Sequence, residues 1–509
     1  MRHLMIENPG VAEPEAFTLF GGTTSRYRKS PNVVGKFGTG NKHGTATLLR
    51  HGYWPLICAG NLKMEFSAED IALGDRYFKE VHVKYSGTTA DGKTPRSKKS
   101  LNYTLDYGAL DWEDPEFGLR EYVSNALDRA DLEAGADFVK FAAAGRDMTE
   151  EEVSEDPTLG PLYLTYLRTC RYYDKVAVEL VNENEVRARK GFTRIFIPAD
   201  ERVERFVRNL GKWFLHFSEP TRLYDTLLPK NGRSLTGKDR PVIYRRGVLV
   251  REVNTSLPSL YDYNLESLAL DEARKVDDYK VSGEAAQAFG GSAPECLATY
   301  FQATLDGRET WESRFSSYDL FHWGLGDEEK ERRKANWGEA FRRIMGDLAV
   351  VSSPEGGEVA QRKGYKVLSL PDGFRKAAES YGLPTPATVL DADTLSGRTV
   401  QEPFPSAVRG LDDVWAAVEL AEMTNGKSKP GLKAFSTSER LLGYYRDGTV
   451  YVNTCIDGSG VTYDLVATLF EEVGHHCSGA ADGTRHFSEW LIHMLARAAG
   501  IVSAVSKAA

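Results

Sequence analysis

Glu121-Tyr122-Val123-Ser124-Asn125-Ala126-Leu127-Asp128 is the stretch on which the reading of this chain turns. The surrounding residues predict a helix over about Pro115–Leu132, opened by acidic residues that suit a helix N-terminus. On that helix Glu121, Asn125 and Asp128 stand at i, i+4 and i+7, so three polar groups share one face. Such a face offers a carboxylate as general base, an amide oxygen for Mg²⁺ and a second acceptor. A solvent-exposed polar stripe has the same pattern.

Upstream lies Val34-Gly35-Lys36-Phe37-Gly38-Thr39-Gly40-Asn41-Lys42, running into a helix-like stretch at Gly44–Arg50. Glycines at 35, 38 and 40 let backbone approach a polyphosphate, and a following helix aims its N–H groups at the anion. Lys36 and Lys42 add positive charge. The GxxxxGK[ST] spacing of a Walker loop is absent. Read alone, the segment is also a glycine-rich turn that packs a helix on a strand.

Taken together, the octet resembles the N-box, ExxxNAxD, of the GHKL ATPase superfamily, which includes the gyrase B subunit, MutL, the ninety-kilodalton heat-shock chaperones, MORC proteins and histidine kinases. Gly35–Gly40 looks like that superfamily's lid-closing glycine motif. Ile6-Glu7-Asn8-Pro9-Gly10-Val11-Ala12 is similar to its strand-end DxGxG/A motif, with Asn8 where the family has Asp. Phe17–Ser30 lies where the family keeps its ATP lid. Here the N-box follows the glycine motifs, an order that reads as a circular permutation.

The resemblance implies an α+β protein with a permuted Bergerat-type α/β sandwich that binds ATP and Mg²⁺. Glu121 would activate the attacking water, Asn125 would hold Mg²⁺ and Asp128 would support the site. Asn8 and Gly10 would meet adenine, and Gly35, Lys36, Gly38, Thr39 and Gly40 would meet the phosphates. A cation near the γ-phosphate is expected from a transducer-like α/β middle domain, with Arg274 or Arg246 as candidates. Closure of the lid over ATP would drive homodimerisation. The client, a protein or DNA, is not legible.

Leu469-Phe470-Glu471-Glu472-Val473-Gly474-His475-His476 is the other stretch with chemistry in it. It looks like the zincin HExxH motif with its first histidine replaced by glutamate. Glu471 and His475 would be zinc ligands, and Asp482, His486 or Glu489 would supply a third. The rival functions are therefore a zincin-like metallopeptidase regulated by the N-terminal domain, and an ATP-gated scaffold without turnover. The bland reading of the C-terminal region is a degenerate zincin-like fold.

The rest of the chain sets the frame. Its 509 residues carry 64 Lys+Arg against 73 Asp+Glu, a net charge of −9 that gives no global reason for nucleic-acid binding. Five scattered cysteines without a CxxC pair argue against a disulfide scaffold and for a cytoplasmic setting. No membrane span or secretory leader is expected. The parts divide as an ATP-binding domain at 1–170, a transducer-like domain at 171–285, a helical or mixed connection at 286–400 and a mostly helical, zincin-like domain at 401–509. Hairpins are expected at Val242–Val253 and Leu442–Asn453. The unusual architecture suggests a phage or mobile element.

Overall fold

A computed structural model describes residues 2–19, 30–35, 40–106, 112, 114–142, 147–271, 274–321, 324–353, 357–362, 364–389, 399–401, 428–436, 443–453, 463–480 and 487–492. The fold is α+β, and its chain contacts form two compact units. One comprises Met1–Ala340 and Pro371–Ala377, the other Phe341–Leu370 and Ala378–Ala509.

The first unit is built on a seven-stranded sheet. Its strands are β1 (Arg2–Pro9), β2 (Leu56–Ala59), β3 (Leu62–Leu73), β4 (Arg76–Ser86), β5 (Lys98–Thr104), β6 (Ala177–Asn182) and β7 (Phe192–Pro198). They lie in the order β5-β4-β3-β2-β7-β1-β6, with every pair antiparallel. The first strand is thus held between two strands nearly 200 residues away. Side chains alternate across a strand, so Leu4 and Ile6 face one side and Met5 the other. Leu4 and Ile6 join the main core with Tyr122, Val123, Ala126, Leu127 and Ala130. Met5 packs with Cys58, Val181 and Phe196 in a smaller cluster.

Two helices lie side by side in this unit. They are α2 (Gly40–Arg50) and α3 (Pro115–Ala142), the latter running ten residues past the predicted end at Leu132. Gly44 and Gly118 bring their backbones together: a Cβ on Gly44 would lie 3.1 Å from the Gly118 oxygen, and one on Gly118 would lie 2.9 Å from the Gly44 oxygen. The short helix α1 (Glu15–Thr18) precedes them.

A second sheet has the order β10-β9-β11-β8, from β8 (Leu227–Pro229), β9 (Val242–Arg245), β10 (Val248–Glu252) and β11 (Tyr261–Asn264). The β9–β10 hairpin turns at Arg246 and Gly247, both at positive φ, as the Arg-Gly pair predicts. Val242, Tyr244, Val248 and Leu249 belong to the same core as the first sheet. The helix predicted over Asp200–Phe217 is broken instead into Glu201–Arg208, Leu210–Trp213 and a 3₁₀ turn at Leu215–Phe217.

An aromatic cluster closes the unit, with Tyr300 stacked on Phe374 at 3.9 Å. Beside it Glu312 is fully buried. Its carboxylate accepts hydrogen bonds from Ser259 Oγ (2.6 Å), the Leu260 N–H (3.0 Å) and Tyr263 OH (2.9 Å).

The second unit carries sheet as well as helix. Among its described residues, Thr399–Gln401, Gly431–Ser436, Gly443–Arg446 and Thr449–Asn453 form a four-stranded sheet. The last two make the predicted hairpin, turning at Asp447-Gly448 with both residues at positive φ. The helix Tyr463–Ser478 follows. No helix among the described residues is long and apolar enough to cross a membrane.

Candidate functional site

Gly35 and Gly40 stand where they do for lack of room. A Cβ on Gly40 would lie 2.6 Å from Glu121 Oε2, and one on Gly35 would lie 2.7 Å from Asp128 Oδ2. Neither glycine has a positive φ, so space and not backbone freedom requires them. The ends of the glycine segment therefore lie directly against the predicted face of α3. Lys36, Gly38 and Thr39 fall outside the described residues, as do 20–29 of the expected lid.

Asp128 holds the start of that segment. Its Oδ1 accepts the Val34 N–H at 2.7 Å and its Oδ2 the Gly35 N–H at 2.8 Å. Burial pushes its carboxyl up to about 6, and the two N–H groups offset only part of that rise. Asn125 is oriented by two acceptors. Its Nδ2 donates to Asn41 Oδ1 and to the Glu121 backbone oxygen, each at 2.7 Å, so Oδ1 is the amide atom left to accept or to ligate.

Glu121 is 3% exposed and sits between two guanidinium groups. Arg274 reaches its two oxygens at 2.6 and 3.1 Å, and Arg120 reaches Oε1 at 3.2 Å. Burial raises a carboxyl, but Arg274 and Arg120 together outweigh it, and Glu121 is held below its ordinary range. Arg274 itself sits at φ 57°, and its N–H donates to the Asp271 oxygen at 3.0 Å. A left-handed non-glycine residue costs about 1 kcal/mol, so surrounding contacts must hold it there.

The other candidates fall on either side. Asn8 alternates onto the face of β1 that carries Leu4 and Ile6, and its Nδ2 donates to the Pro9 oxygen at 2.8 Å. Gly10 has φ +82°, and a Cβ there would meet Glu133 and Arg129 of α3. Arg246 donates to the Val33 oxygen. Lys42, read from sequence as a phosphate cation, is 1% exposed and donates to the Ala16 oxygen at 3.0 Å. Burial brings its amine down to about 8.

Three further residues belong to this arrangement and were not singled out from sequence. Arg120 is 1% exposed and spans from Glu121 to the Leu249 oxygen at 3.2 Å. Asn41 joins Asn125 to the Ala16 oxygen. Thr193 lies opposite Asn8 in register, and its Oγ1 donates to the Gly10 oxygen and accepts the Ala12 N–H, both at 2.9 Å. Only adjacency to the motifs marked the first two. Thr193 carried no local signal.

No family model, curated protein or solved structure matches this chain. The functional reading therefore rests on the residues themselves.

The C-terminal cluster is arranged differently from its sequence reading. Glu471 and Glu489 are exposed, whereas Glu472 and His476 are the buried pair, one position further along the helix. His475 Nδ1 lies 2.8 Å from the Ala480 oxygen, and its ring stacks on Phe487 at 4.3 Å. His476 bridges Tyr445 OH at 2.9 Å and the Ser428 oxygen at 2.7 Å. Among the described residues no group of three His, Cys, Asp or Glu side chains is placed to hold a metal. Asp482 and His486 lie outside them.

Proposed function

We propose that the first unit is a permuted GHKL-type nucleotide domain, a Bergerat-like sandwich that binds ATP with Mg²⁺ and hydrolyses it. One observation carries the reading. Two sequence motifs about 90 residues apart pack against each other, with Gly35 and Gly40 against Asp128 and Glu121, and Gly10 lies against the same helix.

The donor set suits the ligand. Asn125 Oδ1 is the atom to take Mg²⁺, which would draw negative charge from the phosphates. Glycine at 35 and 40 lets both ends of the segment pack directly on α3, and the stretch between them would supply backbone N–H groups to phosphate. Glu121 is the group to take a proton from water, and Arg274 the cation to steady developing charge. Asn8 would accept from the adenine amino group without the charge that Asp adds. Closure over ATP and homodimerisation of the nucleotide domain follow from the same reading.

A second reading, binding without turnover, is favoured by the state of Glu121. Its carboxylate is occupied by Arg274 and Arg120 and held ionised. A base so engaged is a weak one until Arg274 withdraws.

Mg²⁺-dependent ATP binding and phosphate release decide between them. Hydrolysis requires that wild type release phosphate, that Glu121→Gln bind ATP without release, and that Asn125→Ala lose the Mg²⁺ dependence of binding. Saturable binding with no release supports the scaffold. No binding at all overturns both.

A further inference from the structure

Arg274 has a second exposure besides Glu121. It lines a cleft of about 680 Å³ bounded by α3, β10 and residues 269–271 and 274–280. Five cations border this cleft: Arg120, Arg251, Arg274, Lys275 and Lys280. Two carboxylates face them, so the lining carries a net charge of about +3. Both carboxylates have local employment. Asp271 accepts the Lys275 N–H at 2.7 Å, and Asp277 lies 3.8 Å from Lys280.

Individual guanidinium nitrogens in this lining are buried without a full complement of acceptors. Arg120 is pinned over the rings of Trp112 and Phe117, at 5.4 and 5.0 Å, and its Nη2 has only an ion-pair contact, 3.2 Å from Glu121 Oε1, with no hydrogen bond among the described residues. Its counter-charge is Glu121, which it shares with Arg274. Arg251 Nε is likewise buried without an acceptor, while its Nη2 pairs with the exposed Asp278 carboxylate. Buried donors of this kind are costly unless an anion meets them.

We propose that this cleft binds a small phosphate-bearing anion, and that the anion competes with Glu121 for Arg274. Guanidinium forks pair with phosphate oxygens at two points, and the volume suits a ligand of a few phosphate groups. The site lies beside the proposed nucleotide face and does not depend on that reading. An anion in the cleft weakens the hold of Arg274 on Glu121, and neutralising Glu121 frees Arg274 for the anion. The two effects are reciprocal by linkage.

Calorimetry with tripolyphosphate and the full chain, in Mg²⁺-free buffer, tests this without nucleotide. Wild type should bind at one saturable site. Arg251→Met and Lys280→Glu should each weaken binding about tenfold, Lys84→Glu on β4 should leave it unchanged, and Glu121→Gln should tighten it severalfold. Inorganic phosphate should bind at the same site more weakly. Absence of binding overturns the proposal, as does binding that survives Arg251→Met and Lys280→Glu but is lost in Asn125→Ala. Affinity unmoved by Glu121→Gln overturns the competition for Arg274. ATP binding without tripolyphosphate binding would leave the nucleotide reading standing and this one refuted.

Discussion

Gly40 has no room for a side chain because Glu121 Oε2 lies 2.6 Å from where its Cβ would be, and Arg274 holds that carboxylate in place. Gly40 begins α2, where glycine is ordinarily a poor helix former and alanine would stabilise by up to about 1 kcal/mol. Here the sign should reverse. Gly40→Ala is expected to destabilise the first unit by about 1–3 kcal/mol, the range for overpacking. Chemical denaturation checks it, with Gly326→Ala, at an exposed glycine whose Cβ position is open and whose φ is not positive, as the comparison.

Removing Arg274 leaves Glu121 buried with Arg120 alone. Arg274→Ala should cost about 3–5 kcal/mol, the usual loss when one partner of a buried pair is deleted. Glu121→Gln combined with Arg274→Met should cost less than the sum of the two single changes, since neither charge is then stranded. A double-mutant cycle from denaturation curves measures the difference, and strict additivity would contradict the pairing.

Asp128 supplies a pH dependence with a definite sign. Its carboxyl is up at about 6 in the folded protein, against an ordinary value near 3.9 when unfolded. The folded state therefore binds this proton more tightly. The contribution to stability is fully present below about pH 4 and is lost as pH rises through about 6. Asp128→Asn removes that proton uptake. Its stability relative to wild type should improve steadily from about pH 4 to pH 6, by at most ~1.4 kcal/mol per pH unit, and hold constant above about pH 7. Denaturation midpoints across that range, at constant salt, provide the check.

Glu312 ties β11 to the helical layer through Ser259, Leu260 and Tyr263. Glu312→Ala is expected to cost about 3–5 kcal/mol, because three donors lose a buried acceptor together. Glu312→Gln should recover part of this, since one oxygen remains. Amide hydrogen exchange should show lost protection at Leu260 first.

In the C-terminal helix the structural weight falls on His476. His476→Ala should destabilise the second unit by about 1–3 kcal/mol by stranding Tyr445 OH and the Ser428 oxygen. Glu471→Ala, on the exposed side, should stay within about 0.5 kcal/mol. Equal effects would return Glu471 to the role the HExxH likeness suggests.

Local chemistry made much of this chain legible. The spacing of Glu121, Asn125 and Asp128 set a helix face, and Arg246-Gly247 and Asp447-Gly448 set two hairpin turns, because each depends on neighbours within a few residues. The breaks after Arg208 and Trp213 were missed, since apolar spacing alone continues through them. Of the C-terminal sheet only the 442–453 hairpin was legible; its pairing with Gly431–Ser436 and Thr399–Gln401 was not, because that pairing is non-local and the strands are only three to six residues long.

The sequence by itself determined which residues could do chemistry and which shared a face, since helical geometry places i, i+4 and i+7 together in any helix. Only the tertiary structure decided what those residues meet. It put β1 between strands from 177–198, laid Gly40 against Glu121 through the glycine contact of α2 and α3, and turned Lys42 inward. It also brought Arg274 across some 150 residues to Glu121. Burial and long-range packing set the charge states of Glu121 and Asp128, and neither is encoded in the spacing of the residues along the chain.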